Sequence, residues 1–431
     1  MKKSVFSLTL LFLFISLLCS LGFANNYFIV EAEETDSKEI EELLELKEEK
    51  LLEEISQKTF DYFWEEANPE NGLIKDRSTD KSPASIAAVG FGLSAIPVAV
   101  ERGWIDYEEG KERVLTTLET FAEDEVEGKR GFYYHFVNME TGEREWESEL
   151  SSIDTALFLA GALTSGQYFS ETEIAELADS LYEKTDWEWM LNDTDFLCMG
   201  WKPDSGFLEH YWNSFNEGLL AYVLAIGSPT HPIPAESWNK IKRPQNNDYI
   251  YVGHETLFVY QYPLVWLDLK DKEDKNTNYF KNAVKATEHN YDFTRERKNE
   301  YQTYDDHIWG LSASDGPDGY QAYGAARDNH DGTVAPYASI AALPFKPELS
   351  LKSIRAMLEQ YGTKIWSDYG FVSAFNADQD WFSDEYIGID QGDILLMIEN
   401  YRSELVWDLF MEHQAIQQAL KEIGFEKEKA D

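Results

Sequence analysis

The chain has 431 residues, of which 80 are Asp or Glu and 37 are Lys or Arg, giving a formal net charge of −43. With 43% hydrophobic and 14% aromatic residues it can bury a large core, which excludes wholesale disorder. A surface this negative lacks the cationic footprint that phosphate backbones demand, so nucleic acid and anionic membrane are excluded as expected partners, and neutral or cationic ligands remain. The same acid excess suits solubility at high salt and disfavours self-association, so a monomer is expected.

The first residues read as an export signal. Lys2 and Lys3 precede an apolar run from Val5 to Phe23, and a small-x-small pattern ends at Ala24, with a second at Ala32. The expectation is a signal peptide over 1–24, giving a periplasmic or extracellular protein; a retained anchor is the rival. A lipid anchor on Cys19 is a third option, although Leu18 before it fits a lipobox poorly. No later segment is apolar enough to span a membrane. Beyond the signal only Cys198 remains, so no intramolecular disulfide is possible, and Phe-Leu-Cys-Met reads as a buried small hydrophobe.

Residues 25–54 read as an acidic linker grading into a first helix. Helical periodicity then predicts helices at 38–66, 84–101, 106–124, 151–165, 171–190, 213–226, 254–268, 275–291, 333–343, 351–361, 391–400 and 402–422. Ser85, Ser170 and Ser350 stand where N-caps are wanted. One strand–turn–strand signal occurs at 131–146, where Phe132, Tyr134 and Phe136 alternate before a turn at 139–142. No Pro/Ser/Gly linker interrupts 55–425 and the helices do not repeat in sequence, so a single domain is expected and a solenoid is not. An all-α toroid suits this pattern, with inner and outer helices and long loops at one mouth.

Most motifs fall away. Gly90-Phe-Gly92-Leu-Ser-Ala95 matches a loose dinucleotide pattern, but both flanks are helical, and small residues for close helix packing explain it better. There is no P-loop, G-x-S-x-G elbow or zinc-binding spacing. The turns at 315–319 and 328–332 are oxygen-rich but lack EF-hand length, so turn chemistry is the reading.

What survives is carboxylates set among aromatics. The fullest run is 201–218, with Trp201, Glu209, His210, Tyr211, Trp212, Asn213 and Glu217, in which Asn213 and Glu217 are expected on one face of a helix. A second run, 146–156, holds Glu147, Glu149 and Asp154, and a third holds Asp390 and Asp393 at a helix start. Sugar chemistry uses such sets, because flat rings stack on pyranose faces while one protonated and one ionised carboxyl flank the scissile bond. Caps and core aromatics are the bland alternative, weakest for Glu217 because Trp, His, Tyr and Asn crowd it.

These runs carry a resemblance. Phe60–Trp64, Asn71-Gly-Leu-Ile-Lys-Asp76-Arg77, Ser85-Ile-Ala-Ala-Val-Gly-Phe-Gly-Leu and Gly131-Phe-Tyr-Tyr-His135-Phe follow one another. Ser151-Ser-Ile-Asp154, the Trp212 run, Trp309-Gly-Leu-Ser-Ala-Ser-Asp315 through Tyr320, and Gly388-Ile-Asp-Gln-Gly complete the order. Together, over roughly 55–425, they resemble the bacterial glucoamylase-like domain family whose characterised enzymes are endo-β-1,2-glucanases. The resemblance implies an (α/α)6 barrel with a β-hairpin and long loops forming a cleft at one mouth. It also implies inverting hydrolysis of linear β-1,2-glucan to short sophoro-oligosaccharides, without metal or organic cofactor. It points to Glu217 as general acid, or as a carboxylate next to it, and to Glu149 or Asp154 as the group activating water, directly or through intervening water, with Glu147 close by as a rival. In an inverting enzyme two such carboxyls stand about 6.5–9.5 Å apart. By the same resemblance Trp201, His210, Tyr211, Trp212 and Asn213 hold sugar rings, with His135, Asp315, Tyr320 and Asp390 further along the cleft. Another glycoside-active enzyme on the same scaffold, exo-acting or of different linkage, and a non-catalytic sugar binder are the competing readings.

Overall fold

The computed structural model describes residues 37–246 and 249–428. The export signal, its cleavage sites and Cys19 lie outside the described residues. Helices dominate: α1 (37–45), α2 (Glu48–Glu65), α3 (Ile86–Arg102), α4 (Tyr107–Ala122), α5 (Ser152–Tyr168), α6 (Glu173–Lys184), α7 (Trp187–Met190) and α8 (Leu219–Gly227) form the first half. The second half holds α9 (Glu236–Lys240), α10 (Phe258–Trp266), α11 (Tyr279–Glu296), α12 (Pro336–Ile340), α13 (Pro347–Ile365), α14 (Gly388–Arg402), α15 (Leu405–Glu412) and α16 (Gln414–Ile423). No described helix is long and apolar enough to cross a membrane.

Two kinds of helix alternate. In α3, α5, α8, α10, α12 and α14 nearly every residue is buried. In α2, α4, α6, α11 and α13 one face is buried and the other carries charge, the amphipathic pattern of an outer layer. The buried helices touch in sequence, α3 with α5, α5 with α8, α10 and α12 with α14, and α14 back with α3. Outer helices cover them: α2 lies on α3 and α14, α4 on α3, α6 on α5, α11 on α10 and α13 on α12. Helix α15 continues from the C-terminal end of α14 and packs on α3, α5, α10 and α14, and Trp407 Nε1 donates to the Leu264 carbonyl near the end of α10 at 2.7 Å.

Helices α3 and α5 approach each other backbone to backbone. A Cβ on Gly90 would stand 2.3 Å from the Leu157 carbonyl oxygen, and one on Gly161 2.0 Å from that of Gly90. Close packing thus accounts for the Gly90-Phe-Gly92 run, as its helical flanks suggested. Ser85 caps α3 as expected, accepting from the Ala88 N–H at 3.3 Å. The other two caps are corrected. Thr172, not Ser170, caps α6, and Ser350 lies inside α13, which begins earlier with Pro347 in its first turn.

Several boundaries also differ. The helix expected over 38–66 breaks at 46–47, and α1 packs on the body, with Ile40 against Gly362 and Arg355 donating to the Leu44 and Leu46 carbonyls. The helix expected over 171–190 divides at Thr185–Asp186, and the one over 402–422 at Ser403–Glu404 and again at His413. Residues 213–218 are not helical: Asn213 and Phe215 exchange backbone hydrogen bonds with Lys242, a non-local pairing that delays α8 to Leu219. The hairpin expected at 131–146 is present around the turn at 139–142: Asn138 pairs with Glu143, Val137 with Arg144, and the Glu145 N–H donates to the Phe136 carbonyl at 2.9 Å. Phe136–Val137 also pairs on its other edge with Ala84–Ser85, and Phe132–Tyr133 pairs with Gly128–Lys129.

Candidate active site

The N-terminal ends of α3, α5 and α14 bring together chain segments far apart in sequence. The Ile86 N–H donates to the His135 carbonyl at 3.2 Å, and the His135 N–H donates to that of Glu149 at 2.9 Å. Leu150–Ser151 pairs with Gly200–Trp201, which leads into the loop ahead of α8. Gly388 at the start of α14 donates to the Asp76 carbonyl at 2.8 Å. The loops around these helix starts are therefore stitched by backbone hydrogen bonds, which fixes the side chains they carry.

His135 sits between two carboxylates, with Nδ1 3.4 Å from Glu149 Oε1 and Nε2 3.5 Å from Asp154 Oδ1. Desolvation alone would lower its pKa, but Asp154, Glu149 and Asp76 outweigh it and raise the imidazole to about 9. Its hydrogen bond in turn holds the Glu149 carboxyl below the usual range, so Glu149 is ionised. Gly200 makes room for this arrangement, since a Cβ there would stand 2.6 Å from Glu149 Cγ.

Glu217 has the opposite setting. Its side chain keeps some surface exposure yet is ringed by protein atoms, and this desolvation pushes its carboxyl up to about 7. A hydrogen bond from its own backbone opposes the shift, and the Asp154 charge adds to it. Glu217 lies in the turn just before α8 rather than one helical turn beyond Asn213, so the expected Asn213–Glu217 helix face is replaced by an extended approach.

A second cluster centres on Arg77. Its Nη1 donates to Glu385 at 2.7 Å and lies 3.4 Å from Asp315, while Nε lies 3.4 Å from Asp76. Burial nevertheless raises the carboxyls of Asp76 and Asp315. Asp390 is buried beneath them: desolvation, then Asp315, pushes it well above its ordinary value, and one oxygen accepts from Ser373 Oγ at 3.3 Å. Tyr320 stands at the rim, its ring 51% exposed, and desolvation together with Asp390, Asp76 and Asp315 pushes its hydroxyl up. Arg77, Asp315, Tyr320, Trp381 and Glu385 line a cavity of about 370 Å³.

The electrostatic neighbourhood thus joins His135, Glu149, Asp154 and Glu217 to Asp315, Tyr320 and Asp390, with Asp76 influencing both His135 and Asp390. The aromatic run stands along the adjoining wall. Trp201 is half-buried with Lys129 Nζ 3.8 Å from its ring centroid. Tyr211 accepts from Asn192 at 2.9 Å, and the His210 carbonyl receives the Met199 N–H while its side chain is exposed. Trp212 is 5% exposed, its indole N–H bonded to Ser152 Oγ at 2.9 Å, and Asn213 is half-buried. Glu147 is exposed. Cys198 is buried, as expected.

Asp76, Arg77 and Glu385 join the site only through the fold. The first two stand inside the Asn71–Arg77 run; nothing local marks Glu385. One grouping of possible metal ligands among the described residues, Asp186, Glu188 and His231, has Asp186 already committed to the N-cap of α7 and to Arg130.

Comparison with known proteins sharpens this picture. The family model Glycoamylase, described as "Putative glucoamylase", matches residues 209–414. A Bacteroides uniformis structure with the same description is 31% identical, with a TM-score of 0.85 over 89% of this chain and 98% of that one. The chain belongs to the glucoamylase-like family. An endo-β-1,2-glucanase of Chitinophaga pinensis, solved with sophorotriose and glucose, is 28% identical, with a TM-score of 0.84 over 89% of this chain and 99% of that one. An exo β-1,2-glucooligosaccharide sophorohydrolase of Parabacteroides distasonis is 30% identical over 421 residues, 88% of this chain. The chain spans 58% of that curated relative's length. Named relatives of this glucoamylase-like chain thus include both an endo- and an exo-acting hydrolase of β-1,2-linked glucans.

Proposed function

We propose that the protein is an inverting glycoside hydrolase that cleaves β-1,2-glucan internally, releasing short sophoro-oligosaccharides. The observation that carries this reading is the divergence of carboxyls in one site: Glu217 is pushed up to about 7, while His135 keeps Glu149 ionised. Glu217, protonated near neutrality, donates to the glycosidic oxygen; Glu149 or Asp154 takes the proton of the attacking water, directly or through a further water. The imidazolium of His135 orients both candidate bases. Trp201, His210, Tyr211 and Asn213 form the sugar-binding wall with the buried Trp212 packed behind them, and His135, Asp315 and Tyr320 bind hydroxyls further along, above the buried Asp390. The chemistry asks for no metal or organic cofactor.

The alternation of buried and amphipathic helices supports an (α/α)6 toroid over residues 55–425, its cleft at the N-terminal ends of the inner helices. The two separate cavities, one at Arg77 and Tyr320 and another at Trp146, offer room for more than the sugar units at the scissile bond, which favours internal cleavage. The exo-acting relative keeps the exo mode as the second reading. The apolar start of the chain supports export to the periplasm or beyond, and the net charge of −43 supports a monomer.

Incubation with linear β-1,2-glucan, following chain length and product anomer, tests the proposal. Rapid shortening of long chains with inverted anomers is expected. Disaccharide release without early shortening would make the enzyme exo-acting, and cleavage only of β-1,3-, β-1,4- or α-glucans run in parallel would sink the linkage. Replacing Glu217→Gln should lower kcat by about 10²–10⁴-fold while glucan binding persists; unchanged turnover would remove Glu217 from the mechanism.

A further inference from the structure

Among the described residues Trp146 is the most exposed large aromatic residue, at 60%, and its ring meets Phe136 rather than a candidate catalytic carboxylate. It is not a loosely held surface residue. Trp146 and Glu147 both adopt left-handed backbone, at φ 52° and 49°, a conformation that bulky side chains rarely take. Arg144 holds it in place, its guanidinium donating to the Glu147 and Ser148 carbonyls at 2.6 and 2.5 Å while lying over the Tyr134 ring. The fold therefore maintains a costly loop shape whose result is an indole held out of the core.

The indole also continues a ladder of rings that starts at the carboxylates. His135, between Glu149 and Asp154, stacks on Phe136 at 3.9 Å and 15°. Phe136 in turn meets Trp146 at 4.9 Å and 58°. Beyond it opens a cavity of about 510 Å³, whose wall includes Trp146, Asp80, Lys81, Glu140 and Glu145. Asp80, Lys81 and Glu140 are exposed there. A flat apolar face beside charged and polar side chains is the chemistry that takes a pyranose ring, the ring face against the indole and hydroxyls on the polar groups.

We propose that Trp146 is the platform of an outlying sugar-binding subsite, which holds a glucosyl unit of the substrate chain beyond His135 and Phe136. This rests on the glucan-hydrolase reading above. Its consequence is dependence on chain length: substrates long enough to reach Trp146 gain affinity from it, and the shortest cleaved ones do not. Because the unit bound there is remote from the broken bond, the gain enters KM rather than kcat.

The test uses the full chain, W146A and W146F, with linear β-1,2-glucans of graded length and the other linear glucans in parallel. Melting temperatures first establish that both variants fold. With W146A, KM for long chains should rise about tenfold and kcat should stay within about twofold, while KM for the shortest cleaved oligosaccharide should not move. W146F should recover most of the loss. Equal KM for W146A and the parent at every length overturns the subsite. A loss that is uniform across lengths, or falls on kcat, also overturns it, because Trp146 would then be shaping the His135–Glu149 segment. If the parent cleaves none of the glucans, titration calorimetry with β-1,2-glucan decides the matter separately. Binding to the parent that W146A abolishes upholds the subsite while the hydrolase reading falls; binding to neither, or equally to both, overturns the subsite as well.

Discussion

In the proposed mechanism Glu217 meets two opposed demands, since the burial that would keep it protonated as the acid also makes its charge unfavourable in the folded chain. Its folded pKa of about 7 stands above the ordinary value of 4.5, so between these the folded state binds more protons than the unfolded one. Stability contributed by this group is full below pH 4.5 and declines as pH rises toward and through 7. E217Q removes that titration. Urea unfolding should show the variant gaining on the parent between pH 4.5 and 7.5, by on the order of 2 kcal/mol at the upper end. A constant difference across that window would mean that the carboxyl is not desolvated. The same protonation requires activity to fall as pH rises through about 7. His135 works in the same direction at higher pH, its contribution to stability complete below about 6.5 and lost through about 9. Glu149, held low, contributes above the ordinary carboxylate value and loses its contribution only in acid.

Helices α3 and α5 set the spacing of the segments that carry these residues, and their contact depends on backbone approaching backbone at Gly90 and Gly161. In Gly90→Ala the new methyl would meet the Leu157 carbonyl at 2.3 Å and Phe158 Cα at 2.7 Å, neither of which can swing aside. The helices must separate, at a cost of about 3 kcal/mol in denaturant unfolding. Gly253→Ala, where nothing lies within 4 Å, should stay within about 0.5 kcal/mol of the parent. Contacts of this kind explain what was legible in sequence. Ser85 capping α3 and the small residues within it are local signals, and they survive folding unchanged. The start of α8 is not local, because Lys242 captures residues 213–215 and holds off the helix that periodicity suggested. Splits at Asp186 and His413 follow from residues that cap a new helix in mid-pattern. Site residues divide likewise: Glu217, Glu149 and Asp154 announce themselves by aromatic neighbours in the chain, whereas Glu385 reaches Arg77 across 308 positions and has no local mark.

Across the whole molecule the excess of acid acts on stability and on substrate capture in different ways. With a formal charge of −43, most carboxylates have no cationic partner in number, and the compact state concentrates their repulsion. Surface ion pairs such as Lys240 with Asp195 and Lys298 with Asp306 offset little of it, since exposed pairs contribute at most about 1 kcal/mol each. Added salt shortens the reach of the repulsion from about 30 Å at 0.01 M to about 3 Å at 1 M. The melting temperature should therefore climb with sodium chloride over that range, the steepest part coming first. The proposed substrate, a neutral glucan, feels no such field, so kcat/KM at fixed temperature should stay within about twofold over the same series, once the chain is folded throughout. The two responses separate the roles of the charge. A kcat/KM that rises with salt in step with the melting temperature would mean that the acid excess loosens the candidate site itself, where Asp76, Asp315 and Glu385 crowd around the guanidinium of Arg77 and the buried Asp390 feels the Asp315 and Asp76 charges.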